Sequence, residues 1–253
     1  MKEKEKSTVI ETKNQRADKK ELTGVEKIFY KIIGGGSKGL MYDIISDDEC
    51  AVSGNERCIT TDIVIPRYMD GYKVVEIGYE AFEGSVGMTS VKLHGGIKKI
   101  ADRAFYDCTS LREIVIPEGV EEIGESAFSG SENNIWSEIG AERVVLPKSL
   151  RVIGKKAFYQ CGKVKTLIIP GRVSRIEEST FFSCRWLETV SLPKDLTFIG
   201  KSAFSGCYSL QRICFAGTKE QWESIEKEDT WNRKIAADSV ECVDGIVFLK
   251  RCY

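Results

Sequence analysis

The sequence predicts a mainly β solenoid with short helical and turn segments, in which about six coils of 23 residues stack between an N-terminal and a C-terminal cap. Three observations predict it. Phe82, Phe105, Phe128, Phe158, Phe181 and Phe204 stand 23, 23, 30, 23 and 23 residues apart. A fixed set of apolar residues, a proline and a glycine recurs in step with most of these phenylalanines. The flanks that lack the pattern are too short for an independent catalytic domain.

Taken in order, residues 1–24 read as a disordered charged arm, because the first 20 carry seven basic and four acidic side chains and little apolar mass. Residues 25–58 read as an N-terminal cap made of a short helix or strand, a joint and a β-hairpin. The joint, Gly34-Gly35-Gly36-Ser37-Lys38-Gly39, satisfies the spacing of a dinucleotide-binding loop, but strand-like LMYDII follows it where that chemistry needs a helix. The hairpin, LMYDIISDDECAVSGNERC, turns around Asp47-Asp48.

Residues 59–217 hold the repeat. The clearest copy runs Phe105, Cys108, Leu111, Ile114, Ile116, Pro117, Val120, Ile123, Gly124, Ala127. The copies from Phe158 and Phe181 match it, and the one from Phe128 matches once seven residues within SENNIWSEI are set aside. The copy from Phe82 is worn, with Met88 and His94 where leucine and proline stand elsewhere. A fainter leading copy contains Ile63, Ile65, Pro66, Val74, Ile77, Gly78 and Ala81. Ile114-Val115-Ile116 reads as a short strand with two inward side chains. Pro117, which has no amide donor, ends the pairing. Gly124 is expected to open a second turn by adopting backbone angles closed to other residues. Ala127 and Phe128 put one small and one large side chain inside each coil. Six or so buried side chains, worth roughly 1.5–3 kcal/mol each, fall short of the about 1–2 kcal/mol per residue needed to order the backbone. A lone coil therefore cannot fold, and stacked coils can.

From residue 59 to 215 the pattern resembles the BspA-like leucine-rich repeats of bacterial surface proteins, whose units read leucine-x-x-isoleucine-x-isoleucine-proline and then isoleucine-glycine-x-x-alanine-phenylalanine-x-x-cysteine. Departures are local: Glu177 for glycine, Thr180 for alanine, Ser85 and Ser131 for cysteine. The resemblance implies a leucine-rich-repeat solenoid and adhesion-type binding at a cell surface. It also makes Pro66–Val75 look like an opening unit.

Residues 218–253 read as the C-terminal cap. Thr218 and Gln221 have capping-box spacing, helix is expected through KEQWESIEKE with Trp222 and Ile225 on one face, and the final hairpin ECVDGIVFLKRC is expected to turn at Asp244-Gly245.

Composition excludes several functions. With 37 basic and 38 acidic residues the chain has none of the basic excess that nucleic-acid or membrane-surface binding requires. No apolar run approaches membrane-spanning length, and the N-terminus lacks the apolar segment of a secretory signal, which by sequence suits the cytoplasm. Neither a cofactor nor a metal is expected. One histidine, His94, rules out a two-histidine metal site. Cys108, Cys161, Cys184 and Cys207 share a repeat position and form a column, which cannot wrap a tetrahedral metal and reads as buried thiols. Cys50 with Cys58, and Cys242 with Cys252, form hairpin disulfides if the protein is secreted. No enzyme is expected.

What the sequence offers is a surface for an unidentified protein partner. One outward row reads Val64, Lys92, Val115, Val145, Ile168, Ser191, Cys214, with an apolar stripe at Val115, Val145 and Ile168. A companion row of Ser90, Glu113, Arg143, Thr166, Thr189 and Arg212 supplies polar specificity. Tyr106, Tyr159 and Phe182 follow the spine phenylalanines, with Trp186 and Tyr208 one turn on; these are interface anchors or they pack along the stack. The seven-residue insertion lifts Ile135 and Trp136 out of the coil, either onto a binding face or against a neighbour. The alternatives to capture of another protein are a self-associating structural element or cytosolic scaffold, and a regulatory appendage of an enzyme.

Overall fold

The computed structural model describes Ser37 and residues 39–55, 61–131 and 138–250. The charged arm, Gly34–Gly36 and Lys38 of the joint, Ile135, Trp136, Cys58 and Cys252 lie outside the described residues.

The described chain begins with an antiparallel hairpin of β1 (Leu40–Ile44) and β2 (Glu49–Asn55). Then come β3 (Asp62–Val64), β4 (Tyr68–Met69) and β5 (Tyr72–Ile77). β4 and β5 pair through a turn at Asp70-Gly71, whose φ angles of 46° and 93° both need the left-handed region. Each later coil supplies one longer and one two-residue strand: β6 (Ser90–Lys92) and β7 (Lys99–Ile100), β8 (Glu113–Val115) and β9 (Glu122–Ile123), β10 (Arg143–Val145) and β11 (Val152–Ile153). These are followed by β12 (Thr166–Ile168) and β13 (Arg175–Ile176), β14 (Thr189–Leu192) and β15 (Phe198–Ile199). The last coil holds β16 (Arg212–Phe215), α1 (Lys219–Ser224) and β17 (Glu226–Lys227), before β18 (Ser239–Cys242) and β19 (Gly245–Phe248).

Stacking turns these strands into two faces. The longer strands form one, as β3–β6, β8–β10 and β12–β14–β16–β18–β19. The shorter strands form the other, as β1–β2–β5–β7–β9–β11 and β13–β15–β17. Coil-to-coil pairing is parallel and in register, residue for repeat-equivalent residue, as in Thr189 with Arg212 and Ile176 with Ile199. A third ladder runs through the turns, where Phe105 N donates to Ala127 O at 2.8 Å, Phe128 N to Ala157 O at 2.8 Å and Phe181 N to Ala203 O at 2.9 Å.

Between the faces the six phenylalanines form one column. Successive ring centroids are 5.2, 5.0, 5.5, 5.6 and 5.3 Å apart with planes within 17° of parallel. Trp231 meets the last ring, Phe204, edge-on at 6.3 Å and ends the column. The cysteines line it differently from a metal site: Cys108, Cys184 and Cys207 each donate a thiol to the carbonyl of the spine phenylalanine one coil back, at 3.1–3.2 Å. Thr180, at the alanine position, stays buried because its hydroxyl donates to Glu177 O at 2.8 Å.

Three expectations need correction. Gly124 does not have a left-handed φ; a Cβ there would lie 2.6 Å from Asp102 N and 2.8 Å from Ala101 C, so glycine lets consecutive backbones touch. Gly154 and Gly200 repeat the arrangement. Left-handed angles recur two residues before each phenylalanine, on Glu80, Arg103, Ser126, Lys156, Ser179 and Ser202, and two residues after most of them, on Gly84, Asp107, Gln160, Ser183 and Gly206. Secondly, α1 stops at Ser224, since Glu226-Lys227 leaves to pair with Phe198-Ile199 as β17, although its capping box is present and Trp222 and Ile225 are buried. Thirdly, the final turn is Val243-Asp244, with Gly245 already paired to Cys242.

Candidate functional site

The outward side chains of the longer-strand face alternate with the core residues, as a period of two demands. In β8, Ile114 and the following Ile116 point inward while Glu113 and Val115 point out. The same alternation exposes Arg143 on β10, and Thr166 and Ile168 on β12. Ile168 is 66% exposed, Val115 is exposed, and Val145 between them is half-buried. The polar row is cross-linked at three places: Ser90 donates its hydroxyl to Asp62 Oδ1 at 2.6 Å, Arg143 lies 3.9 Å from Glu113, and Arg212 makes two hydrogen bonds, 3.0 and 2.8 Å, to Glu241.

The ladder of this face breaks between β6 and β8 and again between β10 and β12. The lengthened spine interval from Phe128 to Phe158 carries β10, which pairs with β8 across its 30 residues, whereas β10 and β12 are a regular 23 residues apart. Where the insertion rejoins the coil, Ile139 bridges to Cys161, and Glu138 lies 3.5 Å from the Arg185 Nε. The second break opens into a groove of about 740 Å³ lined by Glu142, Arg143, Val144, Lys163, Val164, Lys165, Thr166 and Trp186. Its floor is aliphatic and Trp186, 52% exposed, stands on its wall. Three cations line it against one carboxylate, with Lys165 held 3.0 Å from Glu188.

The structure therefore brings Arg143, Thr166 and Trp186 together, with Val145 and Ile168 two residues along the same strands. Tyr208 is exposed on the next coil. Tyr159 and Phe182 stack on each other at 4.9 Å and are half-buried, and Tyr106 is buried beneath the Arg103 guanidinium at 3.9 Å. Tyr159 and Phe182 thus pack on each other along the stack. Lys163, Lys165 and Val144 were missed by the sequence reading; Val144 lies in the 30-residue interval, whereas Lys163 and Lys165 sit in a regular coil that nothing in the spacing marks.

Reactive chemistry is muted. Among the described residues no group of three His, Cys, Asp or Glu is arranged to hold a metal. Cys50 and Cys242 are free thiols. Burial pushes the Cys50 thiol up to about 11 and the Cys108 thiol up to about 12, so neither is a ready nucleophile. His94 is structural: its Nδ1 accepts from Gly96 N at 3.1 Å and its Nε2 donates to Pro66 O at 2.9 Å, tying the worn coil to the preceding one. Burial holds its pKa below the ordinary 6.5. No described helix is long and apolar enough to cross a membrane.

A family profile described as the BspA type leucine rich repeat region matches residues 75–141 and 132–229, in six copies. Among solved structures, the T. pallidum leucine-rich repeat protein TpLRR is 29% identical with a TM-score of 0.62, over 69% of this chain and 78% of that one. A leucine-rich repeat protein from Bacteroides ovatus ATCC 8483 is 32% identical with a TM-score of 0.62, over 73% of this chain and 47% of that one. A leucine-rich cell surface protein from Faecalibacterium prausnitzii A2-165 shares the fold at 23% identity and a TM-score of 0.57, over 74% of this chain and 55% of that one. This chain thus spans about half the length of the latter two. A comparison with curated protein sequences found no match.

Proposed function

This chain belongs to the BspA-type leucine-rich-repeat family, and from that premise we propose that it is a non-catalytic, adhesion-type module that captures a protein partner on its longer-strand face. Repeat solenoids generally serve as protein-binding surfaces because their interior fixes a rigid platform while the outward rows vary freely. The observation that carries the assignment is the groove between β10 and β12, where Trp186 stands exposed beside an aliphatic floor. A rigid aromatic at the rim of an apolar depression is the usual composition of a binding hot spot. Arg143, Lys163 and Lys165 around it favour a partner segment that carries carboxylates beside an apolar anchor. The site of action we propose is the cell surface or the secreted fraction, in keeping with the resemblance to bacterial surface repeats.

The test is a pull-down with the intact chain from bacterial surface and extracellular fractions, compared with its variants. Ile168→Lys and Trp186→Ala should each remove about 2 kcal/mol or more of binding free energy while leaving the melting temperature unchanged. Trp136→Ala, outside the described residues, is expected to act in the same direction. Undiminished capture by all three variants contradicts the assignment of this face.

A further inference from the structure

Among the described residues the longer-strand face ends in an uncovered edge, and the phase of its hydrogen bonds dictates what can pair there. β19 is the last strand in the order β12–β14–β16–β18–β19. It lies antiparallel to β18, with Ser239 opposite Phe248, Val240 opposite Val247 and Glu241 opposite Ile246. Leu249 N donates to Asp238 O at 2.7 Å, so the hydrogen-bonded pairs with β18 fall on Leu249, Val247 and Gly245. The alternating residues, Ile246 and Phe248, turn their amides and carbonyls off the edge. Their side chains are also on the outward side, 56% and 78% exposed, while Val247 and Leu249 pack against the core. Natural edge strands usually carry lysine, proline or a bulge to discourage pairing. This one presents isoleucine and phenylalanine.

We propose that this edge pairs with the same edge of a second copy of the chain, antiparallel, about a twofold axis passing through Val247. In that register Ile246 of each copy lies opposite Phe248 of the other, and both positions have outward-pointing hydrogen-bonding groups. Four main-chain hydrogen bonds and two apolar cross-strand pairs result. Asp244 of each copy then faces Lys250 of the other, so opposite charges close both ends of the pairing. A slip of two residues sets Phe248 against Asp244, or Ile246 against Lys250, and a slip of one presents inward-turned amides to the partner. The self-complementarity of apolar and charged positions selects a second copy over an unrelated strand. Because the sheet continues through the twofold axis, both outward faces look to the same side. The dimer is then a bivalent platform, which raises avidity without any new contact to the partner.

A single strand edge buries less than a standard interface, so the dimer is weak. Sedimentation velocity of the full chain from about 10 μM to about 1 mM covers the range expected for such a contact. The expected result is a monomer–dimer equilibrium that saturates at two chains, a more than about tenfold weaker dimer for Phe248→Lys, and no change for Ile168→Lys. Val247→Cys, oxidised mildly, should form a covalent dimer through its own symmetry mate, while the wild-type chain treated alike stays monomeric on a denaturing gel. The Val247→Cys arm does not depend on how Phe248→Lys folds. A chain monomeric throughout, oligomers that grow beyond two, a dimer indifferent to Phe248→Lys, or no Val247→Cys cross-link each overturns the proposal.

Discussion

Gly162 and Gly171 lie nine residues apart, and only one of them needs to be glycine. A Cβ on Gly162 would fall 1.7 Å from Ile139 O, where the insertion rejoins the stack, whereas one on Gly171 would meet nothing within 4 Å. Gly162→Ala is expected to cost about 1–3 kcal/mol through forced backbone movement. Gly171→Ala should be neutral or stabilise by about 0.4–1 kcal/mol through the unfolded chain. Urea unfolding of the two variants measures both, and equal effects would show that the close approach at Gly162 does not govern stability. His94 makes a second prediction. Burial is the largest cause of its lowered pKa, with the charge of Arg67 adding to it, and its Nδ1 already accepts a hydrogen bond. A histidine depressed in the folded state contributes stability above its unfolded value of 6.5, and that stability is lost as pH falls through the lower folded value. Melting temperatures between pH 7.5 and 5 should fall more for the wild-type chain than for His94→Gln, on a pH scale set by the histidine range of about 6.5. Parallel curves would show that His94 takes no part in that loss.

The groove belongs to the scale of strands. β10 and β12 do not pair although they are 23 residues apart, and the coil that carries β10 has seven extra residues ahead of that strand. Excising the seven residues between Ser131 and Ile139 should let Thr166 and Ile168 enter the ladder with β10. Their amide hydrogen exchange is expected to slow and partner capture to fail. Exchange as fast as in the parent chain would place the cause of the break elsewhere. Much of the strand pattern was readable in the sequence because inward residues, proline and phenylalanine recur in fixed order. The left-handed turns were not, since Arg103, Ser126 and Lys156 adopt positive φ without any glycine to announce it. The end of α1 was also hidden: Glu226-Lys227 continues a helical pattern locally and is drawn into β17 by pairing with a coil 28 residues earlier. The groove itself depends on two strands failing to meet, and only the irregular spine interval hinted at it.

At the scale of the molecule, stability is held in nearest-neighbour contacts along one column of rings. Phe128 sits between Phe105 and Phe158, at 5.0 and 5.5 Å, beside the irregular coil. Phe128→Ala should cost about 3–5 kcal/mol and separate the unfolding of the coils before it from that of the coils after it, visible as two transitions in urea. The column was legible from six numbers in the sequence, because a buried aromatic at constant spacing has few arrangements other than a stack. The binding face was legible only as rows, since outward side chains obey no periodic constraint. The claim that this face captures the partner is tested most directly by amide hydrogen exchange on the chain with its captured partner bound. Protection should rise over 142–145, 163–168 and 185–191 and stay unchanged over β9, β11 and β13. Protection confined to the shorter-strand face, with the groove exchanging as in the free chain, would contradict it.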